Sequence, residues 1–472
     1  MRTRFAPSPT GLLHLGNMRT ALFNYLLARG AHGAFLLRIE DTDAMRGHEK
    51  YAQALMQDLE WLELRWDEGP ERGGPAGPYA QSQRGAIYDK HFAELEASGL
   101  AYPCFCTEHE LKVERKTQLA SGQPPRYSGK CRRLSAEEVE ERRARGLAAT
   151  LRFRVADDRT VEFEDRVRGP QRFASADIGD FVIRRSDGTP AFFFCNAVDD
   201  ALMGVTLVLR GEDHLTNTPR QLLLLEALKL AAPAYAHIPL VVGADGAPLS
   251  KRTGSKSLQE LRDAGFLPLA IDNYLARVGH TYNDNRLLPL SDLAAQFDLA
   301  RVHHSPARFD EAQLLHWQRE ALRHESTVAL WRWMGDEVHK LVPGNKQTDF
   351  VDTVRANIVF PGDALRWAQV FFGEDFALTG EARELIKEAP GSYLERYLEL
   401  VKQHPNDPML LGRDLPSGPA PGITRGQRFQ LLRAALTNSR HGPEFVRLHH
   451  LLGTERIIKR LEDAIKLHSE AS

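Results

Sequence analysis

The chain reads as an α/β protein built on a parallel sheet, interrupted by an α+β insertion and followed by an all-helical C-terminal region. Three observations predict this. Short apolar runs of strand length alternate with helix-spaced segments over residues 1–100 and again over 201–255, the pattern of strands joined by crossover helices. Residues 101–200 break that rhythm with closely spaced cysteines, a Pro/Gly/Ser stretch and β-like runs. Beyond 255 strand-like runs nearly vanish. A chain of 472 residues suggests about three domains at ~150 residues each.

Residues 3–6 and 34–39 are apolar runs of strand length, with an amphipathic helix at 20–27 between them. From 47 to 64 the apolar groups Tyr51, Leu55, Leu59 and Leu62 recur at helical spacing. Residues 68–79 are rich in Gly and Pro and read as a surface loop. Inside the insertion, 136–145 is a charged helix and 150–155 and 180–183 are strands. Residues 192–200 read as a buried strand. Strand 206–209, helix 218–230 and strand 238–242 then restore the alternation. Residues 394–401 and 445–467 are helical, and the Pro/Gly-rich stretch 414–426 is a connector.

Hydrophobic content of 42% and charged content of 26% describe a globular chain with ample core. The net charge of -2 carries no nucleic-acid signature, so any RNA contact must come from local patches. Basic residues do gather at Lys112, Arg115, Lys116, Arg126, Lys130, Arg132 and Arg133, and again at Arg425, Arg428, Arg433, Arg440, Arg456, Lys459 and Arg460. Taken singly, each is a solvated charge. Four cysteines are too few for a disulfide framework, which suits a reducing cytoplasm. The N-terminus shows no basic-then-apolar signal. The best apolar run, 201–209, is too short to cross a bilayer, so no membrane partner is expected.

Four constellations carry chemistry. In the first, a strand enters a Pro/Ser/Gly turn that delivers His14, Gly16 and Asn17 to a helix start. A helix start has unpaired N–H groups and a positive dipole end, so it attracts phosphate. Gly16 lets a nucleotide approach the backbone, and His14 can donate to a phosphate oxygen as charge builds. An ordinary strand-turn-helix is the alternative. In the second, Glu40 and Asp41 follow a strand end, where ligands of open parallel sheets bind. A carboxylate there suits an ammonium group, although Asp41 and Asp43 equally suit helix caps. Arg4 and Arg210 also lie on strands, and two forked cations beside one pocket can hold two carboxylates. Salt bridges at the strands are the plainer reading.

The third constellation is Ser250-Lys251-Arg252, between glycines and behind a strand. A mobile loop of this kind can bring a cation to a leaving pyrophosphate; a solvated basic turn is the alternative. The fourth is Cys104, Cys106 and Cys131. Soft thiolates suit Zn²⁺, which takes four ligands in a structural site. Buried thiols without metal are the alternative.

The first and third motifs resemble the two nucleotide-binding signatures of class I aminoacyl-tRNA synthetases. With Arg38-Ile39-Glu40-Asp41-Thr42-Asp43, the wording resembles the bacterial glutamyl-tRNA synthetase family. That resemblance implies a Rossmann-like catalytic domain in two halves, 1–100 and 201–255. It implies an inserted acceptor-stem-binding domain over 101–200, a stem-contact region over 256–320 and a helical anticodon-binding region over 321–472. ATP with Mg²⁺, L-glutamate and tRNA-Glu are the implied ligands and partners, with tRNA-Gln left open. A cytoplasmic monomer is expected.

By the same resemblance, His14, Asn17, Ser250 and Lys251 act on the phosphates, and Gly16, Asp213, Val241 and Arg252 complete the ATP site. Arg4 takes the glutamate side-chain carboxylate and Arg210 its α-carboxylate. Glu40 takes the amino group, while Ala6, Ser8, Phe192, Asn196 and His214 line the amino-acid pocket. Zinc takes Cys104, Cys106 and Cys131, with Tyr127 as the fourth ligand and His109 as another candidate. The sequence departs from the family pattern at four of these places. Asn17 stands for a second His, Pro248 for the first Lys of the mobile loop, and Phe192 for a Tyr. Arg133 occupies a position that is often a metal-binding His. Residues 432–437 with 442–444 resemble the anticodon-binding cage. The alternatives are a truncated paralog that glutamylates a tRNA base and a catalytically silent tRNA-binding paralog. A glutaminyl enzyme is disfavoured, because its anticodon region is a β-barrel.

Overall fold

A computed structural model describes residues 1–42, 48–122, 125–243, 245–247, 249, 256–388, 392–405, 407, 409 and 424–470. Ser250, Lys251 and Arg252, together with Asp43 and Pro248, lie outside the described residues. The chain forms two compact units, 1–261 with 271–311 and 262–270 with 312–472.

In the first unit, β1 (Arg2–Phe5), α1 (Leu15–Gly30) and β2 (Ala34–Leu37) make the expected crossover. The two strands are parallel, with Arg2 opposite Ala34 and Phe5 opposite Leu37. α1 buries Leu22, Phe23 and Leu26 against the sheet. α2 (His48–Trp61) matches the helical spacing of its leucines. The insertion supplies β3 (Ala101–Cys104), β4 (Thr150–Phe153), β5 (Thr160–Asp165), β6 (Gly169–Ala174) and β7 (Phe181–Arg184). Strands β3, β4 and β7 form their own antiparallel sheet. Then come β8 (Leu207–Gly211), the helix Thr218–Ala227, β9 (Ala234–Ile238) and β10 (Val241–Val242). β8 and β9 are parallel, as the alternation requires.

Two sequence expectations change here, and one hairpin is added. Residues 192–200 form not a strand but the helix Phe192–Leu202. Its residues 194–200 are all buried, so no solvent face marks it; its one helical period, Asn196, Asp199 and Asp200 at i, i+3 and i+4, turns inward onto the buried Arg4, Arg38 and Arg84. Residues 238–242 do not form one strand. Pro239 lacks an N–H and ends β9, and β10 pairs instead with β11 (Ala307–Arg308). The hairpin β5–β6 escaped notice because its strands are charged and half exposed. It matters to the site, since Asp165 at the end of β5 pairs with Tyr235 of β9. Residues 160–165, read above as part of an insertion, therefore join the β8–β9 sheet.

The second unit is helical among its described residues. Its core includes Phe350, Trp367, Phe371, Tyr397 and Leu461. The helix expected over 445–467 is two, Phe445–Leu452 and Thr454–Ser469. Gly453 breaks them at φ +75, a conformation that costs glycine nothing. Of the connector 414–426, residues 414–423 lie outside the described residues, and Arg425 already begins the helix Arg425–Thr437. Arg460 is not a solvated charge. It is buried, donates to the Leu436 and Val370 carbonyls and stacks on Phe376 at 3.7 Å. Arg433 donates to the Pro443 carbonyl over the Phe445 ring. Arg425 and Lys459 remain exposed. No helix among the described residues is long and apolar enough to cross a membrane.

Candidate active site

One cavity of about 480 Å³ opens where β1, β8 and β9 end and α1 begins. It gathers the sequence candidates from both halves of the sheet. Arg4, Ala6, Ser8, His14, Gly16, Asn17, Glu40, Phe192, Asn196, Arg210, Asp213, His214 and Val241 all line it. The end of a parallel sheet is where such ligands bind, because helix starts and strand-end side chains converge there.

His14 is itself the N-cap of α1, and its side chain makes no capping bond. The first-turn N–H groups thus keep their affinity for an anion. A Cβ at position 16 would stand 3.3 Å from the His14 ring, so glycine there also seats the imidazole. Leu249 lines the same cavity and its N–H bonds Val241 at 3.0 Å. Ser257 bridges His14 on the other side. The described flanks of 250–255 therefore lie beside the cavity, Leu249 in its lining and Ser257 against His14.

The three arginines on this cavity differ in electrostatic state. Arg4 is buried and ion-paired: Nε donates to Asp200 at 3.0 Å and Nη2 at 3.3 Å. Arg210 is also buried, yet among the described residues it has only neutral partners. It donates to His237 Nε2 at 3.1 Å, Thr218 at 2.8 Å and Gln221 at 2.7 Å, while Nη1 is buried without a partner. Burial pushes its pKa down to about 10. A buried cation without a counter-ion is costly, and a ligand carboxylate in the cavity would relieve that cost. Arg19 repeats the situation. It is 1% exposed, donates to the Pro239 carbonyl at 2.7 Å, and burial again lowers its pKa to about 10. Its position on a helix, amid apolar neighbours, gave no sequence signal.

A buried cluster supports Arg4 and Glu40. Arg38, fully buried, donates to Asp200 at 2.7 Å, Asn196 at 3.1 Å and Glu40 at 3.2 Å. Asp199 accepts from Arg84 at 2.6 Å and Gln81 at 2.8 Å. Burial raises the Glu40 carboxyl above its usual range, against the opposing pull of Arg38 and Arg4. Asn196 accepts from Arg38 through Oδ1, and its amide faces the Glu40 carboxylate and opposes the upward push of burial. Nothing in the sequence assigns this role to Arg38, Asp199 or Asp200. Their pairing spans about 160 residues and has no local signature. Phe192 and His214 stack, ring centroids 5.2 Å apart, and form one apolar wall.

Cys104, Cys106 and Cys131 bring their sulfurs within 4.8 Å of one another. Cys106 and Cys131 are 3.7 Å apart, and the Tyr127 hydroxyl lies 3.3 Å from Cys104 and 3.6 Å from Cys106. Ligands on a tetrahedron around zinc would be roughly 3.8 Å apart for two thiolates and roughly 3.5 Å for a thiolate and an oxygen. The donor set therefore fits zinc in type and spacing. His109 is not in this cluster. Arg132, half-buried, pairs with Asp180 at 3.1 Å and is a framework contact. Lys112 and Lys130 pair with Glu108 and Glu110, whereas Arg115, Lys116, Arg126 and Arg133 are exposed.

Residues 1–316 match the family model described as tRNA synthetases class I (E and Q), catalytic domain, and residues 420–465 match an anticodon binding domain. A protein named glutamate–tRNA ligase 2 from Nitrosococcus oceani is 57% identical over 98% of both chains. Glutamate–tRNA ligase 1 of Coxiella burnetii is 50% identical over 98% of this chain and 99% of its own. Among solved structures, a glutamate tRNA ligase from Elizabethkingia meningosepticum, in complex with its amino acid, superposes with TM-score 0.85. It is 29% identical and covers 99% of both chains.

Proposed function

We infer that this chain, which belongs to the class I tRNA synthetases of the E and Q type, is a glutamate–tRNA ligase. The observation that carries the reading is Arg210, a buried cation without a counter-ion among the described residues, sharing a cavity with ion-paired Arg4, with Glu40 and with an uncapped helix start. Such a site suits a diacid with one amino group beside a triphosphate. Arg210 holds the α-carboxylate, Arg4 the side-chain carboxylate and Glu40 the ammonium. Phe192, His214, Ala6, Ser8 and Asn196 form the walls. Glutamine would set a neutral amide against Arg4, and an unmet buried group of this kind can discriminate strongly.

The α-carboxylate attacks the α-phosphorus of ATP, forming glutamyl-adenylate and pyrophosphate. His14 and Asn17 with the start of α1 stabilise the spreading negative charge. Ser250 and Lys251, with Arg252, reach the leaving phosphates. Val241 and Asp213 border the nucleoside. Mg²⁺ carried on the phosphates would offset further charge. The glutamyl group then passes to the 3′ end of tRNA-Glu, a step that needs positioning rather than a protein nucleophile. We assign 101–200 and 256–320 to the stem of the tRNA and 321–472 to its anticodon. Charging assays with tRNA-Glu and tRNA-Gln, each with glutamate and glutamine, test the reading. Transfer of glutamine in preference to glutamate would overturn it.

Activation is expected to require bound tRNA. Pyrophosphate exchange with ATP and glutamate should rise by orders of magnitude when tRNA-Glu is added. Full exchange without tRNA would contradict this.

Cys104, Cys106, Cys131 and Tyr127 would hold a structural zinc, tying β3 to the turn at 127–131. Elemental analysis should find about one zinc per chain, lost in Cys131→Ala. Metal-free purified protein that is fully active would refute the site.

A further inference from the structure

Arg210 is held by a buried chain that starts in the insertion. Asp165, at the end of β5, accepts from His237 Nδ1 at 2.6 Å. His237 Nε2 in turn accepts from Arg210 Nε–H at 3.1 Å, with Thr218 Oγ1 also at 3.1 Å. The Asp165 and His237 side chains are fully buried. Arg210 always donates, so His237 must offer a lone pair at Nε2 and carry its proton on Nδ1. Asp165 enforces that tautomer. Its Oδ1 is already taken by the N–H groups of Val167, Arg168 and His237, at 3.0, 2.8 and 3.1 Å, which leaves Oδ2 as the acceptor for Nδ1–H.

We propose that the Asp165–His237 pair positions Arg210 for the α-carboxylate of the amino acid by fixing the imidazole tautomer. The proposal rests on the glutamate reading above. Neither residue lines the cavity; both act through Arg210. A metal-bound histidine is fixed by its outer partner in the same way, since the bond at one ring nitrogen decides what the other can do. Here the guanidinium takes the place of the metal. The supporting carboxylate comes from a strand of the insertion, so folding of the insertion and affinity for the amino acid are linked.

Asp165→Asn gives the sharpest test. Three backbone N–H groups claim the amide oxygen at the Oδ1 position, so the amide NH₂ must face His237 Nδ1. The imidazole then carries its proton on Nε2, against Arg210 Nε–H. With the full chain, tRNA-Glu and ATP, this variant should raise KM for glutamate about tenfold to a hundredfold, with KM for ATP unchanged. His237→Leu should do the same. His237→Gln, whose amide can donate to Asp165 and accept from Arg210, should restore KM to within a few-fold. Unchanged KM for glutamate in Asp165→Asn, equal rises for both substrates, or no difference between Gln and Leu would overturn the proposal. Nitrogen NMR of histidine-labelled unmodified protein decides independently of any variant: His237 protonated on Nδ1 supports it, and on Nε2 overturns it. If the unmodified chain fails to charge tRNA-Glu with glutamate, the functional reading falls first; if it charges normally while KM stays fixed in the variants, only this proposal falls.

Discussion

Arg210→Met is expected to raise KM for glutamate by about a thousandfold or more while leaving the protein at least as stable. A substrate carboxylate held by a desolvated guanidinium is worth ~2–5 kcal/mol, and ~4 kcal/mol corresponds to about three decades of affinity. The stability half follows from the same geometry. Arg210 has no carboxylate partner among the described residues, and burial lowers its pKa to about 10. Replacing a desolvated cation with an apolar side chain of similar length removes that cost. Arg210→Lys keeps the charge but not the fork, so it should fall between the two. Pyrophosphate exchange across glutamate concentrations, with urea unfolding in parallel, reads both quantities. A KM within twofold of the original would remove Arg210 from the site, and a large loss of stability would mean that its hydrogen bonds outweigh its desolvation.

Asp200→Ala should do the opposite and damage the fold first. Asp200 is 1% exposed and is the shared counter-ion of Arg4 and Arg38. Its removal leaves two buried guanidiniums short of a partner, at a cost of ~3–5 kcal/mol. Arg4 would also lose the contact that holds it at the cavity, so surviving protein should bind glutamate poorly. The pH dependence has a definite sign. Burial pushes the Asp200 carboxyl up, but Arg38 and Arg4 outweigh it and hold it below the usual range. A carboxyl with a depressed folded pKa stabilises above its unfolded value of ~3.9 and loses that contribution as pH falls through the folded value. The urea midpoints of the two proteins should therefore differ most at neutral pH and converge in acid below ~4. A gap that stays constant into acid would show that packing, not charge, is the contribution of Asp200.

Much of the site was legible because its parts are local. His14 and Gly16 announce themselves by a turn feeding a helix, Glu40 by a strand end, and the cysteine cluster by close spacing. Arg4 and Arg210 were legible as paired strand cations, but which carboxylate each takes came only through resemblance, and the difference in their electrostatic state was not legible at all. One is neutralised by Asp200 and the other is held by neutral groups, and Asp200 and His237 lie far along the chain from the arginines they serve or between strands that only meet on folding. The helix 192–202 has no solvent-facing side, and its polar period, Asn196, Asp199 and Asp200, is answered only by arginines far away in sequence. Arg460 and Arg433 looked like solvated charges because composition cannot tell which face of a helix turns inward.

The order of polar and apolar residues alone determined that two βαβ crossovers would form, with β-like sequence between them, and that helices would follow. These are short-range outcomes, set by periodicity, turn residues and strand length. Only the tertiary structure decided which charges neutralise one another, which stay unpaired at the cavity, and how Asp165 reaches across from the insertion to orient His237. Electrostatic state depends on distance and burial in space, and neither is a property of separation along the chain.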